Sequence, residues 1–251
     1  DEGLHRADAH VINADFAGAM RDLVPDQARR RWTDTKLAKK KYSCSTFMLY
    51  LGLDGEEPAL PHHTVYLSEG YAQQLENIER RYELSDNPSF YVQNPCTTDP
   101  SMAPAGQSAL YVLVPVPHLH DNIDWTTARP WLREQTLDQL EHRLGVQDLR
   151  RRIRVERCFT PLDWATHMDL YRGATFSLKH SVDQMLSFRP RNRFEDLDGV
   201  YLAGGGTHPG SGLPVIFQSA LITADLIKAD LPATRPELPP LTTPAPLGGN
   251  A

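Results

Sequence analysis

Gly199-Val-Tyr-Leu-Ala-Gly204-Gly-Gly-Thr-His-Pro-Gly-Ser-Gly212-Leu-Pro-Val-Ile-Phe-Gln-Ser219 is the stretch on which the reading of this chain turns. It predicts a short buried strand, a glycine-packed loop and then a helix. That layout brings backbone N–H groups and the positive end of a helix dipole close to an anionic ligand. Three consecutive glycines, Gly204, Gly205 and Gly206, leave room for a ligand to touch the main chain where a Cβ would block it. Pro209 fixes one φ and Gly210 accepts a positive one, so the loop is shaped rather than merely flexible. Two common nucleotide motifs are excluded. No Lys follows the loop as a Walker A requires, and Gly204-x-Gly206 is followed by Pro209 where the dinucleotide fingerprint needs a third glycine. A tight strand–helix connection that holds no ligand stays open on the glycines alone.

Working outward, residues 9–13 read as a short strand, and 16–23 and 26–31 as short helices. Residues 43–53 form a clear strand with Ser45, Phe47, Leu49, Leu51 and Leu53 on one face. Residues 64–67, 89–93 and 109–116, rich in Val, Tyr and Leu, are further strands. Residues 71–82 and 126–144 are expected as amphipathic helices. In the second, Trp131, Leu137, Leu140 and Leu144 recur at helical spacing and Gly145 marks the stop. Residues 152–159 alternate, with Ile153, Val155 and Arg157 on one side. The last strand spans 200–203 and the last helix about 213–229. The Pro-rich end, 231–251, has no periodicity and reads as a disordered tail. The irregular interleaving implies an α/β (α+β) fold. The short apolar strands near residues 10 and 201 are expected in one layer, with the residues between them as an inserted domain.

Composition bounds the function. Hydrophobic residues make up 40% and charged residues 23% of the chain, ordinary for a globular protein. A net charge of −6 argues against a nucleic-acid partner. The first residues, Asp1-Glu-Gly-Leu-His-Arg-Ala-Asp8, lack the apolar core of a signal peptide and read as a cut through a longer protein. Cys44, Cys96 and Cys158 are sparse and far apart, which points to a reducing compartment and no disulfide framework.

The complete glycine stretch resembles the C-terminal signature of the bacterial-type phytoene desaturases, the FAD-dependent carotenoid desaturases. Gly199, Tyr201, Leu202, the run from Gly204 to Leu213 and Ser219 fit that pattern at its spacing. Further blocks are similar in the same order: His62-His-Thr-Val65, Asn94-Pro-Cys-Thr-Thr-Asp99, Ala103-Pro104 with Gly106, Val114-Pro-Val-Pro-His-Leu119, Asp124-Trp125, Phe159-Thr-Pro161, Tyr171-Arg-Gly-Ala174, and Phe188-Arg-Pro190 with Asn192-Arg193. Family members begin with a βαβ unit carrying G-x-G-x-x-G, which this chain lacks, so it resembles their C-terminal half. Val215 stands where many members have Gly, which sets the backbone farther from the ligand there or alters substrate preference.

The resemblance implies an amine-oxidase-like, partial FAD/NAD(P)-binding fold. Residues 1–16 and 196–230 would belong to a discontinuous FAD domain, and 17–195 to a substrate-binding domain. Gly204, Gly205, Gly206, Thr207, His208, Gly212 and Leu213 would line FAD. The implied reaction is desaturation of a long apolar polyene such as phytoene, held in an apolar tunnel. Phe47, Leu49, Tyr91, Tyr111, Leu113, Phe176 and Phe188 are candidate lining residues, with ordinary core packing the preferred reading for any one of them. A carotenoid isomerase or ketolase of the same fold, or a non-catalytic isoprenoid- or membrane-binding fragment, are the competing readings. The chain by itself is expected to be inactive and not to retain FAD.

The catalytic residue is left open. His208 is a candidate proton acceptor, or else a partner of a loop carbonyl or of the cofactor. His62-His63 and His118-x-His120 lack a third ligand placed by sequence, and no metal is expected. Arg29, Arg30, Arg31, Lys36, Lys39, Lys40 and Lys41 put seven cations in thirteen residues around Trp32. They read as a solvated face or as a contact for an anionic membrane surface. The expected location is cytoplasmic and peripheral to a membrane.

Overall fold

The structure, a computed structural model, describes residues 6–231. Its elements are β1 (His10–Ile12), α1 (Phe16–Leu23), α2 (Asp34–Ala38), β2 (Ser45–Asp54), β3 (His63–Tyr66), α3 (Tyr71–Glu76), β4 (Phe90–Gln93), β5 (Gln107–Val116), α4 (Trp125–His142), α5 (Leu149–Arg152), β6 (Ile153–Phe159), α6 (Pro161–His167), β7 (Val200–Leu202) and α7 (Leu213–Asp230). The fold is mixed α/β, with one parallel and one antiparallel sheet. Apart from Leu231, the tail expected to be disordered lies outside the described residues.

The larger sheet has the order β3-β4-β5-β2-β6 and is antiparallel throughout. Its centre is set by β2 and β5, paired over ten residues from Ser45↔Val116 to Asp54↔Gln107. Alternation fixes this register, because a one-residue slip would turn the core side chains to the other face. Phe47, Leu49, Leu51 and Leu53 of β2, with Leu110, Val112 and Val114 of β5, bury one face against Leu132, Leu137 and Leu140 of α4. Asp124 caps α4, its side chain accepting from Thr126 N at 2.9 Å. Gly145, at φ +74°, ends that region, and Val146 N reaches back to Leu140 O at 3.1 Å.

The smaller sheet joins the two ends of the described chain. β1 and β7 pair in parallel, His10↔Val200 to Ile12↔Leu202. A second core lies beside it, built from Phe16, Met20, Trp32, Leu37, Tyr42, Leu178, Phe194 and Leu202. Asp15 caps α1 by accepting from Gly18 N at 3.0 Å. Burial raises the Asp15 carboxyl above the usual range, while the amides of Gly18 and Tyr171 pull it down.

Three local expectations differ. The helix expected over 71–82 stops at Glu76, widens into a π turn over Asn77–Arg81 and ends at Tyr82 in the left-handed region, φ +55°. The helix expected over 26–31 is one 3₁₀ turn, Asp26–Ala28, because the Arg29 side chain donates to Trp32 O and Asp34 and draws the backbone out straight. Ile153, Val155 and Arg157 do not share one side. A bulge between Gly52 and Leu53 pairs Ile153 with Leu53 and Val155 with Gly52, so Ile153 packs on the core while Val155 is exposed.

Candidate functional site

The glycine bend connects β7 to α7 and is held mainly from behind. Gly204 N donates to Ser219 Oγ at 3.2 Å, and the Thr207 hydroxyl lies 2.9 Å from Gly204 O and 3.1 Å from Ser219 Oγ. Asn192 Nδ2 donates to Leu202 O, Ser219 and Thr223, tying the same turn to α7. Arg189 is fully buried and donates to Thr207 O at 3.1 Å, Gly205 O at 2.7 Å and Leu178 O at 3.4 Å. Burial lowers its guanidinium to about 10. Sequence reading placed Arg189 and Asn192 in a family block but gave them no task.

The glycines are required by the chain's own packing. A Cβ on Gly206 would stand 2.6 Å from Phe16 Cβ and 2.9 Å from Ser177 Oγ, and one on Gly205 would stand 3.1 Å from Ser211 Cβ. The chain's own side chains fill those spaces. The open part of the bend comes later: Gly212, at φ +111°, and Leu213 are exposed, and a Cβ on Gly212 would meet only Val215 at 3.9 Å. Among the described residues no hydrogen bond engages the amides of Gly212 and Leu213, which stand at the positive end of an 18-residue helix. The site residues therefore divide: Gly204, Gly206 and Thr207 are interior, whereas Gly212 and Leu213 face outward.

The face of the large sheet opposite α4 carries aromatic rings across all five strands. His63 of β3 lies 6.0 Å from Tyr91 of β4, which lies 6.1 Å from Tyr111 of β5. Tyr111 is 5.4 Å from Tyr50 of β2, Tyr50 is 6.0 Å from Phe159 of β6, and Phe159 stacks on Trp164 of α6 at 5.0 Å. Neighbouring strands are ~4.8 Å apart, so the rings span about 19 Å across the strands. Met48, Leu113, Trp164 and Phe176 line a cavity of about 320 Å³ on this face. Of the expected lining residues, Tyr111, Leu113 and Phe176 line that cavity and Tyr91 shares the face. Phe47 and Leu49 do not, because they point into the α4 core. Phe188 is exposed elsewhere on the surface.

Phe176 also lines a second cavity of about 410 Å³, whose wall includes Tyr42, His118, Arg172, His180 and Ser211 of the glycine bend. The apolar face and the bend thus meet through Phe176. His180 Nε2 accepts from Ser211 N at 3.0 Å and lies 3.2 Å from its Oγ. Burial, with Arg189 nearby, holds its ring below the ordinary imidazole range. His208 lines a different cavity of about 590 Å³, with Arg189, Arg191 and Arg193.

The remaining residues singled out by sequence have other partners. His62 and His63 pack ring to ring at 4.2 Å and bond Thr98 and Tyr91, and His120 stacks on Tyr82 at 4.2 Å. Cys44 and Cys158 are shielded thiols, both pushed up by burial, Cys158 to about 12. Of the seven cations, Arg29 is buried between Asp26 and Asp34 and is unavailable to a membrane. Arg30 pairs with Asp196, and Arg31 with Glu195 and the carbonyl of Phe188. Arg30, Lys36, Lys39 and Lys41 are exposed.

No protein-family model matches the chain. Among curated proteins it is 52% identical over 222 residues to the 4,4'-diapophytoene desaturase (4,4'-diapolycopene-forming) of Methylomonas sp, covering 88% of this chain and 43% of that protein. It is 46% identical to the all-trans-zeta-carotene desaturase of Myxococcus xanthus, covering 98% and 47%. It is 38% identical to the lycopene-forming phytoene desaturase of Pseudescherichia vulneris, covering 92% and 47%. The chain spans less than half the length of these curated relatives. Among solved structures it is similar to an oxidoreductase from Methanosarcina mazei, with a TM-score of 0.56 over 90% of this chain and 44% of that one. At 14% identity that likeness is one of fold.

Proposed function

We propose that this chain, a homologue of the carotenoid desaturases at 37–52% identity, is the substrate-binding and cofactor-closing part of an FAD-dependent carotenoid desaturase. The observation that carries the reading is the aromatic floor leading through Phe176 to the glycine bend. A hydrocarbon polyene offers no polar handle, so its binding must come from apolar area and ring stacking. A floor about 19 Å across suits a long, flat conjugated chain lying over the strands.

The bend fits a flavin at its outer end. Unpaired amides of Gly212 and Leu213 at a helix N-terminus suit the edge of the ring that gains negative charge on reduction. When bound, FAD supplies the hydride acceptor for conversion of a C–C single bond to a double bond. Thr207, Arg189 and Asn192 hold the bend rigid from behind, and Tyr50, Tyr111 and Phe159 orient the polyene. On this reading residues 6–16 and 196–230 form the cofactor layer and residues 17–195 the substrate layer. Leu213, Phe217 and Leu221, an exposed apolar stripe along α7, would be covered by the remaining part of such an enzyme.

A peripheral, cytoplasmic place at a membrane follows from the same chemistry, because the substrate resides in a bilayer. Exposed cations of the 30–41 segment would face anionic headgroups. The test of the activity is a chimera in which this chain replaces the matched part of the Methylomonas desaturase. Incubated with 4,4'-diapophytoene, it is expected to produce new visible absorption bands from longer conjugation. A flavin-loaded, folded chimera that yields only isomerised or unchanged substrate overturns the reading.

A further inference from the structure

We infer that His118 is the group that accepts the proton in this desaturation, a role that rests on the reading above. His118 sits just beyond β5, and its ring helps form the cavity shared by Phe176 and Ser211. The imidazole is buried, edge-on to Tyr42 at 6.4 Å and beside Tyr82 at 5.3 Å. Nδ1 lies 3.0 Å from Leu119 O. A carbonyl can only accept, so this contact puts the proton of the neutral ring on Nδ1. Nε2 then carries the lone pair, and among the described residues it makes no hydrogen bond.

The cations, the carboxylate, the thiol, the Tyr42 phenol and the second imidazole around this cavity are unsuited to the task. Lys40, Lys41, Arg172 and Lys179 are cations without a free lone pair, and the carboxylate of Glu79 is paired with Lys179 at 2.9 Å. The Tyr42 hydroxyl donates to Leu37 O at 2.9 Å, and burial raises the Cys44 thiol above its ordinary range. His180 already spends Nε2 on Ser211. His208 lines a different cavity from the one that reaches the aromatic floor. The same burial, with Arg172 and His120 nearby, lowers the His118 ring and leaves it neutral near pH 7. The proposed step balances. One C–H bond of the polyene breaks, its proton forms an N–H bond at Nε2, and its electron pair becomes the new C=C bond. A hydride leaves the adjacent carbon for the oxidised flavin.

Two measurements test this. On the 251-residue chain, ¹⁵N NMR of the imidazoles is expected to show His118 as the Nδ1–H tautomer, titrating below the ordinary imidazole range. A charged ring or an Nε2–H tautomer at pH 7 overturns the proposal. In the chimera, H118Q and H118A are expected to lower kcat about 100-fold or more with KM little changed, the share a positioned general base supplies. Added imidazole is expected to restore part of the H118A rate, which loss of a packing role alone would not allow. Full activity in a folded H118Q overturns the inference while leaving the desaturase reading intact. If H118A melts early, H118Q carries the comparison. A wild-type chimera without desaturation overturns both.

Discussion

At the scale of single residues, the glycine bend is decided by contacts that carry no chemistry of their own. Gly206 fits because Phe16 and Ser177 occupy the space a side chain would need. Gly206→Ala is therefore expected to cost about 1–3 kcal/mol in urea unfolding, the usual range for forced overpacking. An unchanged midpoint would contradict the packing described. His180 gives a pH dependence of defined sign. Its folded-state affinity for protons is depressed by burial and by Arg189, and protonation would also break the bond from Ser211 N. Below the unfolded value of about 6.5, the unfolded chain binds a proton that the native chain refuses. Stability should thus fall as pH drops below about 6.5 and level off once the folded-state value is passed. The groups facing His180 are Ser211 and Gly210 from the bend, Arg189 beneath it and Lys179 beside it in sequence. His180→Gln should flatten part of that limb, with His118 supplying the rest because its ring is depressed in the same direction. A limb as steep in H180Q as in the wild type would remove His180 as a contributor.

At the scale of elements, the apolar patterns were readable where the backbone follows one period. Alternation in β2 and helical spacing in α4 each reach the structure as read, because one face of each is buried in a single core. Reading fails where a local irregularity resets the period, as at the bulge that separates Ile153 from Val155 and at the left-handed Tyr82. The candidate site was legible in part. The glycines and their block announce a bend, but Arg189 meets Gly205 O, and His118 meets the rings of Tyr42 and Tyr82, only once the chain is folded. The basic segment shows the same limit. The loop over 182–188 exposes Val182 at 90%, Leu186 at 72% and Phe188 at 55%. It is stitched to Lys41 by Gln184, whose side chain accepts from Lys41 N at 3.0 Å and donates to Lys41 O at 2.7 Å. Apolar side chains beside exposed cations suit the interface of an anionic bilayer. The chain is expected to sediment with phosphatidylglycerol vesicles, less so as salt rises, and V182S/L186S/F188S to weaken this several-fold. Equal sedimentation of the triple variant would exclude the loop.

At the scale of the whole molecule, the described residues present an aromatic sheet face and, at Gly212 and Leu213, one helix terminus with unengaged amides, which on the proposed reading are the polyene floor and one end of the flavin site. On that reading the glycine fingerprint that would hold the rest of the dinucleotide is not in this sequence. The purified chain is accordingly expected to emerge from gel filtration colourless, and stoichiometric flavin absorbance in the protein peak would refute this division of labour. The exposed stripe of Leu213, Phe217 and Leu221 points the same way, since it leaves α7 covered on one side only.

The parallel pairing of β1 with β7 has a wider consequence. The polypeptide departs from that two-stranded ribbon after Ile12 and returns to it at Val200, so the intervening lobe hangs from one doorway. Insertions, deletions or replacement confined to the five-stranded sheet and α4, whose core is separate from the one beside the ribbon, need not disturb the threshold itself. On the proposed reading, a lineage could retool for hydrocarbons of another length by editing that sheet, inheriting the ribbon unaltered.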